Sequence, residues 1–592
     1  MKKHVCFALA LAVLMLSCAC AKPGQNAPEN SDRTEEETTD PSVLELVRNG
    51  ICGYRIVRPD GADTDTAGAA GDLRLAFRDT LGITPEIVTD FEAETEKEIL
   101  VGGTNRSASG TAADRLRDSV GYLITVTGEQ IVICATDISF LREAVNAFVA
   151  EWLEPCRGKQ ICTVPRSMDR QISKQDYIRN GWGLQTVPAY EGGTLSDSLY
   201  ACGAGIGDDS GHDTKDESLM QLISGTSTAE FRSYLQKLER NGFSRVFGNT
   251  VDGSEYAEYR LGEVLVYTWF HPESREARVI LDRSGIALDE LNVGAETDGT
   301  VEFYQFRLNY CEGSKDSSPY PDCGMFYIFR LRDNSLFLID GGHPKQATDA
   351  DLDRVMAFLR SITGSETVQV RAWFITHAHG DHAGLPDLLL RKYASDIRID
   401  TVMANIPCMN RIGGYSDVYR SFLGTLEAKY PSAAFLKLHP GMTFSMGGLT
   451  VDVLYTHEEA VNAGTGKTKI SDFNDSSTVL RVTFGGKRVL FLGDANKVIE
   501  ESLIELYAPE TLQADIVQIA HHGINPLNYI YRMTKGTYAL VSNSEVNAHL
   551  NGGSCERAYA IYSRYFQTIL YEMDATYRFR IADGELVQDS VK

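Results

Sequence analysis

The chain has 592 residues, and 43% of them are apolar. That length accommodates several domains, and the apolar share is ordinary for a globular protein. A formal net charge of −24 excludes a protein that coats nucleic acid or anionic membrane by bulk electrostatics, while leaving room for a local basic site.

The first residues read as a targeting segment. Met1-Lys2-Lys3-His4 is basic, and Val5–Leu16 is apolar but too short to span a bilayer comfortably. Leu16-Ser17-Cys18 resembles a bacterial lipobox, which implies lipidation at Cys18 and a signal peptide over 1–18. Cys20 is the alternative site, and an ordinary signal peptide the alternative reading. Either way the body is expected outside the cytoplasm, held to the cell membrane by a lipid anchor only, because no later apolar run is long enough to cross. Residues 19–41 are polar and acidic, with Glu35-Glu36-Glu37 and almost nothing able to join a core, as in a disordered tether. The twelve cysteines include no C-x-x-C pair, so a cysteine zinc site is not expected. Export permits disulfides. Cys156–Cys162 and Cys311–Cys323 are the nearest pairs, but spacing does not fix connectivity, and buried free thiols are the default.

Residues 42–170 alternate between strand and helix patterns. Strands are expected at Tyr54–Val57 and Glu98–Val101, the latter running into Gly102-Gly103, and a hairpin at Tyr122–Val126 and Gln130–Cys134. Helices are expected over Asp72–Leu81, stopped by Gly82, and over Asp137–Leu153. This segment resembles the small α/β domain at the N-terminus of α-glucuronidases, which implies a carbohydrate-facing role and brings no catalytic residue. Residues 171–298 read as a separate α+β module: a helix over Ser227–Asn241 capped by Thr226 or Ser227, then strands at Tyr256–Tyr259, Glu263–Phe270 and Glu276–Leu281. Gly205–Asp213 reads as a loop. The third domain, 299–592, orders its strands and helices as an αβ/βα sandwich, so the chain as a whole is an α/β multidomain protein.

Its chemistry-bearing stretch is Thr376-His377-Ala378-His379-Gly380-Asp381-His382, at the end of the apolar run Val368–Ile375. Imidazole nitrogens and carboxylate oxygens are ligands for a borderline cation. On extended backbone His377 and His379 point the same way, and Asp381 and His382, leading into a helix over Ala383–Arg391, offer a second pair. Two further apolar strands end in ligand-type residues: Val489–Asp494 in an aspartate, Ile516–His522 in two histidines.

His-x-His-x-Asp-His resembles the signature of the metallo-β-lactamase superfamily. The resemblance implies that His377 and His379 hold one metal and that Asp381, His382 and His521 hold the other. Asp494 would bridge them, and Asp381 and Asp494 would be the catalytic carboxylates. His521 is favoured over His522 as ligand by a narrow margin, with His522 facing substrate. Asp340 would order the histidine loop through hydrogen bonds. Asn474-Asp475-x-Ser, the Leu-Gly-Asp strand and His-His-Gly together look like the subgroup containing the hydrolase domain of the competence protein ComEC, with the bacterial phosphorylcholine esterases related. Asn474 or Asp475 would contact substrate or orient a ligand, and His549 would contact substrate or phosphate. Ile524 after His-His-Gly and the missing proline after His549 depart from that subgroup.

Two divalent ions are therefore expected, zinc by ligand chemistry with manganese as the alternative. The expected activity is that of an exported, membrane-anchored phosphodiesterase acting on extracellular nucleic acid or a phosphodiester-bearing envelope polymer, with carbohydrate bound by the front domains. Amide, ester or lactone hydrolysis on the same centre is the second reading, β-lactams being the weaker target. A non-catalytic, carbohydrate-binding surface lipoprotein is the third.

Overall fold

The computed structural model describes residues 40–116, 121–136, 138–173, 187–196, 200–201, 218–282, 285–309, 324–407, 417–463, 466, 468–549 and 553–591. Cys18, the leader, nearly all of the tether, the loop 205–213 and the Cys311–Cys323 pair lie outside them. The chain divides into two compact units, one drawn from 40–113, 123–134 and 141–170, the other from 114–122, 135–140 and 171 onward.

In the first unit a six-stranded sheet runs in the order Ile87–Thr89, Arg55–Arg58, Glu98–Val101, Gln130–Ala135, Gly121–Thr127, Asp169–Ser173. Its first four strands are parallel. A small antiparallel sheet of Ile51–Cys52, Val43–Arg48 and Ile161–Pro165 accompanies it. The helix expected from Asp72 begins at Thr64, because Asp63 caps it by accepting a hydrogen bond from the Thr66 amide. Its alanine- and glycine-rich first turns carry little apolar periodicity, so the pattern reveals only the second half.

Among the described residues the second unit contains three sheets. One is antiparallel, in the order Thr194–Leu195, Leu219–Ser224, Glu276–Asp282, Val264–His271, Ser254–Leu261, Ser244–Val251. The helix Thr228–Arg240, capped by Ser227, lays Phe231, Tyr234 and Leu238 on one face. The opposite face packs Met220, Leu222, Tyr256, Tyr267, Trp269 and Ile280 into the same core as Phe329, Phe337, Leu438 and Phe491. Segment 171–298 thus has a core of its own on the helix side of the sheet and shares the core on the other face with the sandwich. With both faces covered, Val264–His271 is buried along nearly its whole length instead of alternating.

The other two sheets face each other. The first runs Ala434–Lys437, Ile397–Ala404, Val368–Phe374, Leu336–Asp340, Phe326–Arg330, Glu302–Gln305, Thr576–Ala582, Glu585–Val591. The second runs Thr443–Met446, Leu449–Tyr455, Val479–Phe484, Lys487–Phe491, Ile516–Gln518, Tyr538–Val541, Thr568–Tyr571. Between them Phe303 stacks on Phe329 at 4.5 Å and meets Phe491 edge-on at 5.8 Å. Helices Asp349–Thr363 and Gly380–Lys392 bury their apolar stripes against the first sheet, and Lys497–Leu506 and Asn528–Thr534 against the second. This is the expected αβ/βα sandwich.

A polar seam joins the antiparallel sheet to the sandwich. Buried His439 places Nδ1 3.1 Å from Glu458 and Nε2 3.3 Å from Asp282. Glu458 also accepts from the Asn405 amide at 2.8 Å and from the Thr456 hydroxyl, and Asp282 from Ser218. Burial disfavours a charge on His439, but Glu458 and Asp282 outweigh it and raise its pKa from 6.5 to about 9. Nearby Glu258 is pushed by burial from 4.5 to about 7. Both folded values lie above the unfolded ones, so both groups withdraw stability as pH rises: Glu258 between about 4.5 and 7, His439 between 6.5 and about 9.

The thermal midpoint of the wild type should therefore fall between pH 6.5 and 9, and His439→Gln should flatten that part of the profile. His439→Ala, which leaves two buried carboxylates facing each other, should cost about 3–5 kcal/mol in denaturant unfolding at pH 7. A wild-type profile flat across this window would contradict the charged-histidine assignment.

Candidate metal centre

The site forms where several strand ends of the two facing sheets meet. Leu336–Asp340 and Val368–Phe374 are parallel neighbours in the first sheet, and each hands the chain to a loop at the same end. Asp340, at φ 54°, turns its carboxylate under the histidine loop. Its Oδ1 accepts from the Thr376 amide at 2.9 Å, and its Oδ2 from the Thr376 hydroxyl at 2.9 Å and from His382 Nδ1 at 2.8 Å. Its backbone carbonyl accepts from the Trp373 indole. The bond to Nδ1 fixes the His382 tautomer and leaves Nε2 facing inward as a ligand atom.

The following helix starts at Gly380, not Ala383, with His379 at its N-cap position. Asp381 and His382 therefore lie in the first helical turn, where the helix dipole favours the carboxylate. His377 Nε2 lies 3.1 Å from His379 Nδ1, and Thr376 Oγ1 lies 3.1 Å from His377 Nδ1.

In the second sheet, Lys487–Phe491 continues through Leu492 and Gly493 to Asp494. Gly493 has φ 56°, and a Cβ there would come within 3.0 Å of Ser477, so glycine alone suits this bend. The bend is tied by Gln518, which accepts from Leu492 N at 2.7 Å and donates to the Gly493 carbonyl at 3.0 Å. The Asp494 amide donates to Ser477 Oγ at 3.1 Å. From the adjacent strand come His521 and His522, both left-handed at φ 51° and 53°. Such backbone costs roughly 1–3 kcal/mol per residue and persists where surrounding structure enforces it.

The side chains converge on Asp494. One of its oxygens lies 3.3 Å from His382 Nε2; the other lies 3.4 Å from His522 Nε2, 3.7 Å from His521 Nε2 and 3.8 Å from His377 Nε2. His522 Nε2 is also 3.2 Å from Asp381. Among the described residues two ligand groups result, each with its ligand atoms within 4.8 Å of one another: Asp381, His382, Asp494 and His522; and His377, His379 and Asp494. Of the last pair, it is His522 and not the expected His521 that falls in one of these groups. His522 is buried and joins the second group, whereas His521, its side chain 26% exposed, stays at the rim. The sequence cannot distinguish two adjacent histidines; the left-handed turn does, by sending their rings in different directions.

The site electrostatics suit a cation. Burial opposes ionisation of Asp494, but His522, His382 and His521 hold its carboxyl well below the usual range. Asp381 is likewise lowered against its burial by His382 and His522. Burial, with His382 beside it, keeps His377 well below the usual imidazole range. Burial also disfavours a charge on His382, yet Asp494, Asp340 and Asp381 raise it to about 10. Both Asp494 oxygens and His382 Nε2 are buried without a hydrogen-bond partner. Native proteins rarely leave such atoms unsatisfied, and divalent cations at the two groups would satisfy them; the donor set of imidazole and carboxylate fits zinc or manganese.

The remaining expected residues divide. Asn474 lies in the adjoining loop with Oδ1 buried and unpaired. Asp475 instead braces that loop: it accepts from Ser471 N and Oγ at 2.7 and 2.9 Å, from Asp472 N at 3.1 Å, and from the Asn496 amide that caps helix Lys497–Leu506. His549 is exposed, its ring edge-on against Tyr559 at 4.2 Å, and it belongs to neither ligand group. Sequence reasoning missed Thr376, Ser477, Gln518 and Asp472, the last 3.8 Å from His379 Nε2. Thr376 and Ser477 lie within the recognised motifs, where no role was assigned to them; Gln518 carries no local signal.

Residues 324–527 match the model of the metallo-beta-lactamase superfamily, in keeping with the sandwich and its two groups of ligand-type side chains. Among solved structures, the metallo-beta-lactamase fold protein YhfI from Bacillus subtilis is 14% identical, with 46% of this chain and 96% of that one covered at TM-score 0.27. CmlA, a diiron beta-hydroxylase from Streptomyces venezuelae, is 13% identical, with 60% and 85% covered at TM-score 0.27. Neither likeness is strong enough to speak to activity. No curated protein matches the chain.

Wild-type protein loaded with zinc and dialysed should retain two metal ions per chain by elemental analysis. His522→Ala should lose at least one, and His521→Ala should keep both. Asp340→Asn should weaken metal affinity by roughly 10–100-fold without unfolding the domain. Loss of metal in His521→Ala alone would restore the original assignment.

Proposed function

We propose that the chain is an exported, lipid-anchored phosphodiesterase related to the ComEC-like hydrolases, working with two divalent ions on nucleic acid or a phosphodiester-bearing envelope polymer. The observation that supports this reading most directly is the pair of ligand groups sharing one buried carboxylate, Asp494. Bound there, the ions would make water acidic enough to supply hydroxide near neutral pH and would screen charge developing on a phosphoryl group.

The chain's own residues contribute orientation. Asp340 holds His382 in one tautomer, Thr376 ties His377 to the same carboxylate, and Gln518 fixes the bend that presents Asp494. The open side is bordered by His379, Asp381 and His521, whose side chains are 26–27% exposed, so substrate approaches there. The rim imidazole of His521 can hydrogen-bond the substrate. Cys18 as the lipidated residue, and carbohydrate binding by the first unit, complete the proposal.

Purified zinc- or manganese-loaded protein should hydrolyse bis-p-nitrophenyl phosphate, p-nitrophenyl-phosphorylcholine or single-stranded DNA, and not nitrocefin. Chelation should abolish the activity and metal should restore it. Asp494→Ala should lower kcat by at least ~10²–10³-fold, and His379→Ala should lose turnover while still binding polymer. Activity on nitrocefin alone would overturn the phosphodiesterase reading.

A further inference from the structure

The first unit gathers two buried thiols whose closeness the metal chemistry does not explain. Helix Ile138–Phe148 runs on through a π-helical turn, Val149–Leu153, into the short turn Glu154–Cys156. The chain then reverses, with Lys159 N donating to the Cys156 carbonyl at 2.9 Å and Gly158 at φ 74°. It returns as strand Ile161–Pro165, whose alternate residues Cys162 and Val164 point inward. Cys156 Sγ lies 3.2 Å and Cys162 Sγ 3.8 Å from the same acceptor, the Trp152 carbonyl, which brings the two free thiols side by side. Both residues are buried, at 6% and 1% exposure.

Register excludes the other nearby thiol as partner to Cys162. Val47 pairs with Cys52 on one side and with Cys162 on the other. The two cysteines are therefore two strand spacings apart, about 9.5 Å, beyond the ~7 Å Cα limit for a disulfide. Cys52 instead directs its sulfur to the Tyr54 carbonyl at 3.3 Å.

We infer that Cys156 and Cys162 are a disulfide site, oxidised by a small disulfide such as oxidised glutathione or the disulfide of an exchange catalyst. In the first step one cysteine thiolate attacks the oxidant's S–S bond, forming a mixed disulfide and releasing one reduced thiol. In the second, the other thiolate attacks the protein sulfur of that mixed disulfide, forming the Cys156–Cys162 bond and releasing the second thiol. The oxidant takes up two electrons, and the two protein thiol protons end on the released thiols. Burial raises the pKa of Cys162, so the reaction belongs to folding or local opening, before strand Ile161–Pro165 docks. Once formed, the bond closes a short loop and fastens this strand to the helix that precedes it.

The test uses the full chain, equilibrated in a glutathione redox buffer, acid-quenched, alkylated under denaturing conditions and digested with trypsin. Trypsin cleaves after Arg157 and Lys159, between the two cysteines, so the bond would hold two peptides together at 2 Da below the sum of their reduced masses. The linked pair should appear in wild type and in Cys52→Ser, and should vanish in Cys156→Ser and in Cys162→Ser. Reduction should lower the thermal midpoint of the first unit by roughly 5–10 °C, with no such shift in the Cys156→Ser/Cys162→Ser double variant. Full alkylation of both cysteines after oxidation, or a linked peptide containing Cys52, would overturn the inference.

Discussion

A buried carboxylate surrounded by imidazoles is the constraint on which the domain is built. Asp494 is all but sealed from solvent, and neither of its oxygens has a hydrogen-bond donor. A charge in that position is tolerated only if opposite charge or a cation surrounds it. His377, His382, His521 and His522 supply that environment, delivered by three features of the backbone. The strand-end loop brings His377, the first turn of a helix brings His382, and a left-handed turn brings the remaining pair.

Holding these groups in place is the work of residues that touch no ligand atom. Asp340 binds the Thr376 amide, the Thr376 hydroxyl and the His382 ring through one carboxylate, so the loop and the tautomer are set together. Gln518 reaches across to both sides of the Gly493 bend. Such arrangements explain how left-handed conformations at Asp340, His521 and His522 persist: their local cost is offset by the hydrogen bonds and packing around them.

The antiparallel sheet before the sandwich is part of the same body. Its apolar face carries Tyr256, Tyr267 and Trp269 into the core that also contains Phe337 and Phe491, and the His439 seam adds charge contacts between Asp282 and Glu458. Removing this sheet would expose a broad apolar surface on the sandwich. Whatever it contributes to substrate, it is first a structural layer.

The motif Thr376–His382 and the strand ends at Asp494 and His521-His522 were legible because apolar runs that stop at ligand-type residues are local patterns. Composition and spacing likewise determined the α/β class, the sandwich order and most element limits, including helix Lys497–Leu506, since periodicity and capping act over neighbouring residues. Three matters were left to tertiary structure. Which of two adjacent histidines enters the ligand group depends on backbone φ, which residue order does not encode. Asp475 braces a loop because Asn496 and Ser471 meet it there, and Gln518 matters only because a neighbouring strand lies alongside. The shared core of 171–298 with the sandwich was hidden for the same reason: a strand buried on both faces reads as an apolar run, and the sequence does not say what lies against each face.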